Sequence, residues 1–206
     1  NFRLHENDIA FIANHAEDRF LIVDDVLLPI FERIKGKIDF ERVFVVPHSG
    51  AAIPEGLENY EDFLATGRDD YAFPELNENE ACGMCYTSGT TGRPKGVAYS
   101  HRAMVLHTFC VGLADTVGLT QRDVLMPVVP MFHANAWGLA HAAVMMGSKL
   151  AFPGPHMDAE NLLGLCESEQ VTLAAGVPTI WIGILQALES DAARWKLHPD
   201  LRTVVG

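Results

Sequence analysis

The run of residues from Thr87 to Gly96 holds the side chains of this sequence that are best suited to chemistry. It reads Thr-Ser-Gly-Thr-Thr-Gly-Arg-Pro-Lys-Gly. Gly89 and Gly92 allow the backbone to turn tightly and to point N–H groups at an anion, and Lys95 adds a positive charge. Hydroxyl donors come from Thr87, Ser88, Thr90 and Thr91. Such a set of donors suits a polyphosphate.

This run differs from the phosphate loop of P-loop nucleoside triphosphatases. That motif needs Ser or Thr after its lysine and a helix immediately afterwards. Here Pro94 precedes Lys95, Gly96 follows it, and a strand is predicted next. A motor protein or a GTPase is therefore disfavoured. A plain Gly/Thr-rich hairpin is the structural alternative, but a hairpin does not need so many hydroxyls together with a lysine.

The elements that must position this run alternate between apolar, β-branched segments and segments with helical spacing. This alternation predicts an α/β fold built on largely parallel sheets. Strands are predicted at residues 19–24, 42–46, 81–87, 96–99, 124–128, 148–152, 171–174 and 201–205. Helices are predicted at residues 26–35, 60–66, 101–115, 137–146, 159–168 and 179–188. Ser100 and Asp158 are expected to cap helices at their N-termini, and Gly147 is expected to end one.

The composition excludes several classes of function. The chain has 206 residues, of which 49 % are hydrophobic, so it can bury a substantial core. A formal net charge of -12 argues against binding nucleic acid, because phosphate backbones are held by clustered Lys and Arg. No apolar stretch reaches the roughly 18 to 20 residues that a transmembrane helix needs. We expect a cytoplasmic protein, with peripheral attachment to membranes left open.

The four cysteines lie in apolar segments and do not suggest a disulfide framework. They are Cys82, Cys85, Cys110 and Cys166. Cys82 and Cys85 form a C-x-x-C, but no second pair or neighbouring histidine completes a zinc site. We expect them to be buried and inert. The histidines on predicted helices also lack metal-ligand spacing.

The segment Tyr86–Val97, with Tyr99-Ser-His101 after it, closely resembles the signature of the adenylate-forming (AMP-binding) superfamily. That superfamily includes acyl-CoA synthetases, luciferases and the adenylation domains of peptide synthetases. Other segments resemble its medium- and long-chain fatty acyl-CoA synthetase branch, namely 14–19, 130–138, 153–155 and 175–179. The resemblance implies that residues 1–206 are part of the large N-terminal AMP-binding domain. Mainly parallel sheets flanked by helices are then expected.

The resemblance also implies roles in ATP binding. The loop would hold the β- and γ-phosphates through Thr87, Ser88, Gly89, Thr90, Thr91, Gly92 and Lys95. The hydroxyl of Thr87 would contact Mg²⁺, and Lys95 would neutralise the departing pyrophosphate as a catalytic residue. Ala134 and Trp137 would lie against the nucleotide.

A second group of implied site residues surrounds the carboxylic acid. Phe132 and His133 match an aromatic-histidine pair that borders the acid in the family, with His133 as a catalytic residue, and Trp137 matches a gate to the acyl tunnel. If this stretch is helical, His133 and Trp137 share one face. The alternative is that both side chains simply pack beneath the loop.

The function implied is that of a fatty acid:CoA ligase with ATP, Mg²⁺ and CoA, in which a carboxylate becomes an acyl-adenylate and then a thioester. Aryl acids, amino acids or another thiol acceptor remain alternatives, as does a non-catalytic nucleotide-binding module. The remainder of the N-terminal domain and a small C-terminal domain are expected to be absent, so the chain alone is expected to be inactive. The resemblance also makes a homodimer an expectation.

Overall fold

The structure is a computed structural model that describes residues 1–87 and 92–206. The chain divides into two compact units. The first unit comprises Asn1–Leu76 and Tyr86–Val97, and the second comprises Asn77–Cys85 and Ala98–Gly206. Each unit has helices packed on parallel strands, which confirms the predicted α/β class.

A small parallel sheet organises the first unit. Its strands run in the order β1 (Phe20–Asp24), β2 (Arg42–Val46) and β3 (Glu58–Asn59). The helices are α1 (Glu6–Ala16), α2 (Leu28–Ile34) and α3 (Tyr60–Ala65), with a 3₁₀ turn at Asp25–Leu27. One buried cluster joins Ala10 and Ala13 of α1 to Phe31 and Ile34 of α2. This apolar packing fixes α1 in the unit.

Helix α1 was not predicted from the sequence. It begins after His5, whose side chain accepts a hydrogen bond from the backbone N–H of Asn7. It ends at Ala16, and the next residue, Glu17, adopts a left-handed conformation with φ 57°. Both ends therefore have the capping geometry that satisfies helix termini.

Strands β4 (Ala81–Thr87) and β5 (Lys95–Ser100) form a separate two-stranded sheet. Both were predicted, β4 with the observed bounds and β5 one residue shorter at each end. Thr87 therefore ends one strand and Lys95 begins the next. Four residues of the candidate phosphate loop, Ser88, Gly89, Thr90 and Thr91, lie outside the described residues.

A four-stranded parallel sheet organises the second unit, in the order β7, β6, β8, β9. These strands are β6 (Val124–Pro127), β7 (Lys149–Leu150), β8 (Leu173–Gly176) and β9 (Arg202–Val205). The longer helices are α4 (His101–Gly112), α6 (Leu139–Met146), α7 (Ala159–Glu169) and α8 (Pro178–Ser190). Two short elements are α5 (Ala134–Trp137) and a 3₁₀ turn at Ala192–Arg194.

Helices cover both faces of this sheet. Leu125 and Leu173 pack with residues of α4 and α6, whereas Met126 and Ala174 pack with residues of α7 and α8. Successive side chains of a strand point to opposite faces, so each central strand contributes to both clusters. This explains why the central strands are apolar without alternation.

The predicted helix caps are confirmed. The Ser100 side chain accepts a hydrogen bond from the N–H of Ala103, and Asp158 accepts one from the N–H of Asn161. Gly147 ends α6 with φ 74°. None of the helices in residues 1–87 and 92–206 combines the length and the apolar character that crossing a bilayer demands.

The expectation that Cys82 and Cys85 are buried was wrong. Cys166 is buried, and burial raises the pKa of its thiol to about 11. Cys82 and Cys110 are exposed, and Cys85 is partly buried. A two-stranded sheet leaves much of its surface open, so the apolar residues around Cys82 do not bury it.

The buried carboxylate of Asp123 forms hydrogen bonds near the starts of three strands of the second unit, β6, β8 and β9. Asp123 directly precedes β6 and accepts hydrogen bonds from the Thr120 hydroxyl at 2.9 Å and the Thr172 hydroxyl at 2.9 Å. The Arg202 guanidinium, at the start of β9, donates to it at 2.8 Å. Burial raises the pKa of Asp123, but these bonds and one from the Thr120 backbone outweigh burial and lower the pKa below its usual 3.8.

We expect Asp123→Asn to lower the free energy of unfolding by about 1–3 kcal/mol at pH 7. Because the native pKa is depressed, this contribution is complete well above pH 3.8 and is lost as the pH falls through the native value. Urea unfolding at pH 7 and pH 3 measures the difference between parent and variant, which should shrink at pH 3. The exposed Asp115→Asn provides the control. A constant difference between the two pH values would contradict this linkage.

Candidate active site

Helix α1 contacts both ends of the candidate phosphate loop in the first unit. Nδ1 of His15 lies 2.6 Å from the hydroxyl of Tyr86, the residue before Thr87. At the other end, the Arg93 guanidinium lies over the Phe11 ring, 5.1 Å from its centroid. Phe11 and His15 are one helical turn apart and therefore share a face of α1. Helix α1 thus contacts residues at both ends of the loop.

The environment of Tyr86 keeps its phenol neutral. Burial is the first cause of its raised pKa, and the nearby Asp18 carboxylate adds to it. The rings of His15 and Tyr86 meet edge to face, with centroids 5.8 Å apart. A neutral hydroxyl can either donate a hydrogen bond to the imidazole of His15 or accept one from it.

The described residues of the loop present cationic and hydroxyl groups to solvent. Thr87 and Lys95 are exposed at the ends of their strands. Gly92 has φ 151°, a conformation that side-chain-bearing residues rarely adopt. Within residues 1–87 and 92–206, Lys95 takes part in none of the ion pairs. Its ammonium group is therefore available to an anionic ligand.

The second unit contains a cavity of about 410 Å³. Its walls come from β5, α4 and the segment before α6, and they consist of Tyr99, Ala103, Met104, His107, Ala134, Asn135, Trp137 and Gly138. Two of these, Ala134 and Trp137, were candidate site residues. Phe132 and His133 are not among the residues that line this cavity.

The backbone around Trp137 is left-handed. We use the name left-handed turn for residues Ala134–Gly138, whose φ angles are all positive, from 46° at Ala134 to 70° at Gly138. For non-glycine residues this conformation costs roughly 1–2 kcal/mol per residue. Strain of this kind occurs mostly at functional sites, where surrounding contacts maintain it.

The backbone of residues 133–137 is not a right-handed α-helix, which was the condition for His133 and Trp137 to share a face. His133 has an extended backbone, with φ -105° and ψ 97°, and Trp137 follows a turn of the opposite hand from an α-helix. His133 and Trp137 therefore do not share a helical face. The helix predicted from residue 137 begins at Leu139 instead.

Several residues at these places were not identified from the sequence. Phe11 and His15 were missed because α1 itself was not predicted. His107 was recognised only as a histidine on a helix without metal-ligand spacing, and Asn135 was not singled out. The signal for His107 is its place on the face of α4 that carries Ala103 and Met104, one turn earlier. Among the described residues, no cluster of three or more His, Cys, Asp or Glu side chains could hold a metal ion.

The comparisons with known proteins agree with the signature in the sequence. The family model described as AMP-binding enzyme matches residues 1–206. A medium-chain-fatty-acid–CoA ligase from Ectopseudomonas oleovorans is 45 % identical over 100 % of this chain and 38 % of that protein. A long-chain-fatty-acid–CoA ligase from Thermus thermophilus is 48 % identical over 95 % of this chain and 35 % of that protein. The chain thus spans less than half of the length of either relative.

The fold is also shared with solved structures. An anthranilate CoA ligase, AuaEII, solved with anthranoyl-AMP, superposes with a TM-score of 0.83 at 24 % sequence identity. The match covers 100 % of this chain and 39 % of that protein. The superposition shows a shared fold, and the family match over all 206 residues shows that the chain belongs to the AMP-binding enzyme family.

Proposed function

We propose that this chain is part of a fatty acid:CoA ligase. It would supply the loop that binds the phosphates of ATP and part of the wall of the cavity that binds the acid. The observation that carries the proposal is the placement of Thr87 at the end of β4 and Lys95 at the start of β5 in an AMP-binding enzyme. The loop between them supplies the hydroxyls and glycines that a polyphosphate needs. Helix α1 supports the proposal, because it contacts residues at both ends of this loop.

The proposed reaction has two steps. A carboxylate is a poor electrophile, so one of its oxygens first attacks the α-phosphorus of ATP and pyrophosphate leaves. The thiolate of CoA then attacks the acyl carbon, and AMP leaves with the carboxylate oxygen. In the first step negative charge grows on the departing phosphates, which Lys95 and the hydroxyls stabilise. His133 is proposed to contact the reacting acid, and Ala134 the nucleotide.

Magnesium belongs to this proposal as an ion that accompanies ATP. Mg²⁺ prefers oxygen ligands and commonly shares them between protein and substrate phosphates. The exposed hydroxyl of Thr87 is an oxygen donor of this kind. The ion would supply positive charge beside the β- and γ-phosphates, and Thr87 would help to place it.

The proposed acid is an aliphatic one. Ala103, Met104 and the Trp137 indole give the cavity a largely apolar wall, which suits a hydrocarbon chain better than the charged α-amino group of an amino acid. Both of the relatives at 45 % and 48 % identity are ligases of fatty acids. The proposal extends to a cytoplasmic homodimer, whose subunit number sedimentation equilibrium would measure.

Two alternatives remain as outcomes of the test. The shared fold with an anthranilate CoA ligase makes an aryl acid the most concrete of the other substrates. A module that binds nucleotide without catalysis is the other alternative. Lys95 and all four hydroxyl residues of the loop are present, which favours catalysis.

We expect the whole protein that carries this chain to exchange labelled pyrophosphate into ATP when it is given fatty acids. The panel should contain saturated acids of increasing length, anthranilate, benzoate and several amino acids, followed by CoA to detect thioester formation. The 206-residue chain alone is expected to form no acyl-CoA. Exchange with aryl or amino acids only would overturn the proposed substrate. ATP binding without exchange for any acid would favour the non-catalytic alternative.

A further inference from the structure

The left-handed turn must be stabilised by contacts with other parts of the protein. All of its residues except Gly138 carry side chains, and such residues disfavour positive φ angles. Within the turn, the N–H of Gly138 donates to the Asn135 carbonyl at 2.9 Å. A single bond of this kind does not select a conformation that L-residues disfavour. The contacts that maintain the turn must therefore come from other elements of the second unit.

Two such contacts reach the turn from distant positions. Nε2 of His107, on α4, lies 3.0 Å from the carbonyl oxygen of Trp137. A carbonyl only accepts, so the imidazole carries its proton on Nε2 and donates it. The thiol of Cys85, on β4, donates to the Asn135 side-chain oxygen at 3.2 Å. Of the two donors, the imidazole N–H is the stronger.

Gly138 and His107 are complementary in shape. A Cβ atom at Gly138 would lie 2.5 Å from Cδ2 and 2.7 Å from Nε2 of His107. Contacts this short are not tolerated, so the imidazole can reach the turn only because residue 138 is glycine. The φ of 70° at Gly138 requires glycine for an independent reason.

The Trp137 indole is partly buried. The ring also packs against the cluster that includes Leu139 and Ala142 of α6. A change in the backbone of the left-handed turn would therefore move the indole relative to the cavity that it lines.

We propose that His107 is a positioning residue that holds the left-handed turn and thereby sets the place of the Trp137 indole in the cavity wall. This inference rests on the proposed function for its catalytic consequence, but its structural part is independent of any activity. His107 acts through the Trp137 carbonyl. The alternative, in which His107 serves only by touching the bound acid, is separated from it by the test.

The structural test uses ¹⁹F NMR of the whole protein labelled with 5-fluorotryptophan, in which W137F assigns the Trp137 resonance. His107→Leu removes the donor and should shift or split the Trp137 signal. His107→Gln places an N–H at the same number of bonds from the backbone and should restore the signal. His141→Leu, on the exposed surface of α6, is the matched control and should leave it unchanged.

The resonances of Trp181 and Trp195 show whether each variant remains folded. If His107→Leu loses the dispersed signals of all three tryptophans, His107→Asn is measured in its place, because its side-chain N–H is one bond too short to reach the Trp137 carbonyl. An unchanged Trp137 signal in a folded variant of either kind overturns the inference. A change that His107→Gln fails to restore also overturns it, because the lost donor would not be the cause.

The kinetic test compares kcat/KM for the carboxylic acid. His107→Leu removes one hydrogen bond that positions the cavity wall, so kcat/KM should fall about tenfold. In His107→Gln, kcat/KM should stay within about twofold of the parent value. If the whole protein adenylates no acid, the proposed function fails while the NMR result still decides the role of His107. A tenfold loss with an unmoved Trp137 signal would assign His107 to substrate contact and overturn the positioning role.

Discussion

Replacing Lys95 with alanine is expected to lower pyrophosphate–ATP exchange by about 100-fold or more in the whole protein, because removing one charged donor from a developing anion commonly costs this much. Lys95 begins β5 and is exposed, so the variant should fold normally. Its ammonium group would otherwise stabilise the charge that collects on pyrophosphate during adenylation. Initial rates of exchange at saturating ATP and acid provide the measurement.

Two further variants test whether the loss of exchange comes from the ammonium group at position 95. Lys95→Arg keeps the charge but changes its shape, so partial activity is expected. Lys35→Ala removes an exposed lysine of the same unit, paired with Glu32 one turn earlier, and should retain the activity of the parent. Unchanged exchange in a folded Lys95→Ala protein would contradict the proposed catalytic role of Lys95.

Replacing Leu125 with alanine is expected to lower the free energy of unfolding by about 2–5 kcal/mol, the usual cost of truncating a buried leucine. Leu125 lies on β6, is 0 % exposed, and packs in the cluster shared with α4 and α6. The change leaves a cavity beneath the elements that flank the left-handed turn. Urea unfolding followed by circular dichroism provides the measurement.

The matched control for this core variant is Leu106→Ala. Leu106 lies on α4 with 51 % of its surface exposed, so the same chemical change should alter the unfolding free energy by no more than about 0.5 kcal/mol. A loss below about 1 kcal/mol in Leu125→Ala would mean that neighbouring side chains collapse into the space.

Several strands could be predicted because each is a short, largely apolar run between turn-forming segments. Strands β2, β4 and β6 were placed to within one residue of their observed bounds. Strand β8 begins two residues later than predicted. There the Thr172 hydroxyl, rather than its backbone, accepts the hydrogen bond from the N–H of Val124. A pattern of apolar residues does not show where a side chain takes the place of the backbone as a hydrogen-bond acceptor.

The candidate site could be predicted only in part. The phosphate loop is visible in the sequence because its glycines, hydroxyls and lysine are consecutive, and Trp137 because of the resemblance. The left-handed turn could not be predicted, because local preferences favour the opposite hand. Its supports at Cys85 and His107 are distant in sequence. Helix α1 was missed because three of its eleven residues are asparagine or histidine, which favour helices weakly.

The reversed hand of the chain at Ala134–Gly138 narrows the set of amino acids that this segment can accept. Asparagine tolerates such a backbone better than other residues with side chains, whereas valine, isoleucine and threonine do not. Ala136 is also 0 % exposed, so a larger residue there would have no room. Random mutagenesis of residues 134–136 should therefore recover mostly glycine, alanine and asparagine, and valine, isoleucine and threonine should be depleted although they are as apolar as the cavity wall or nearly so.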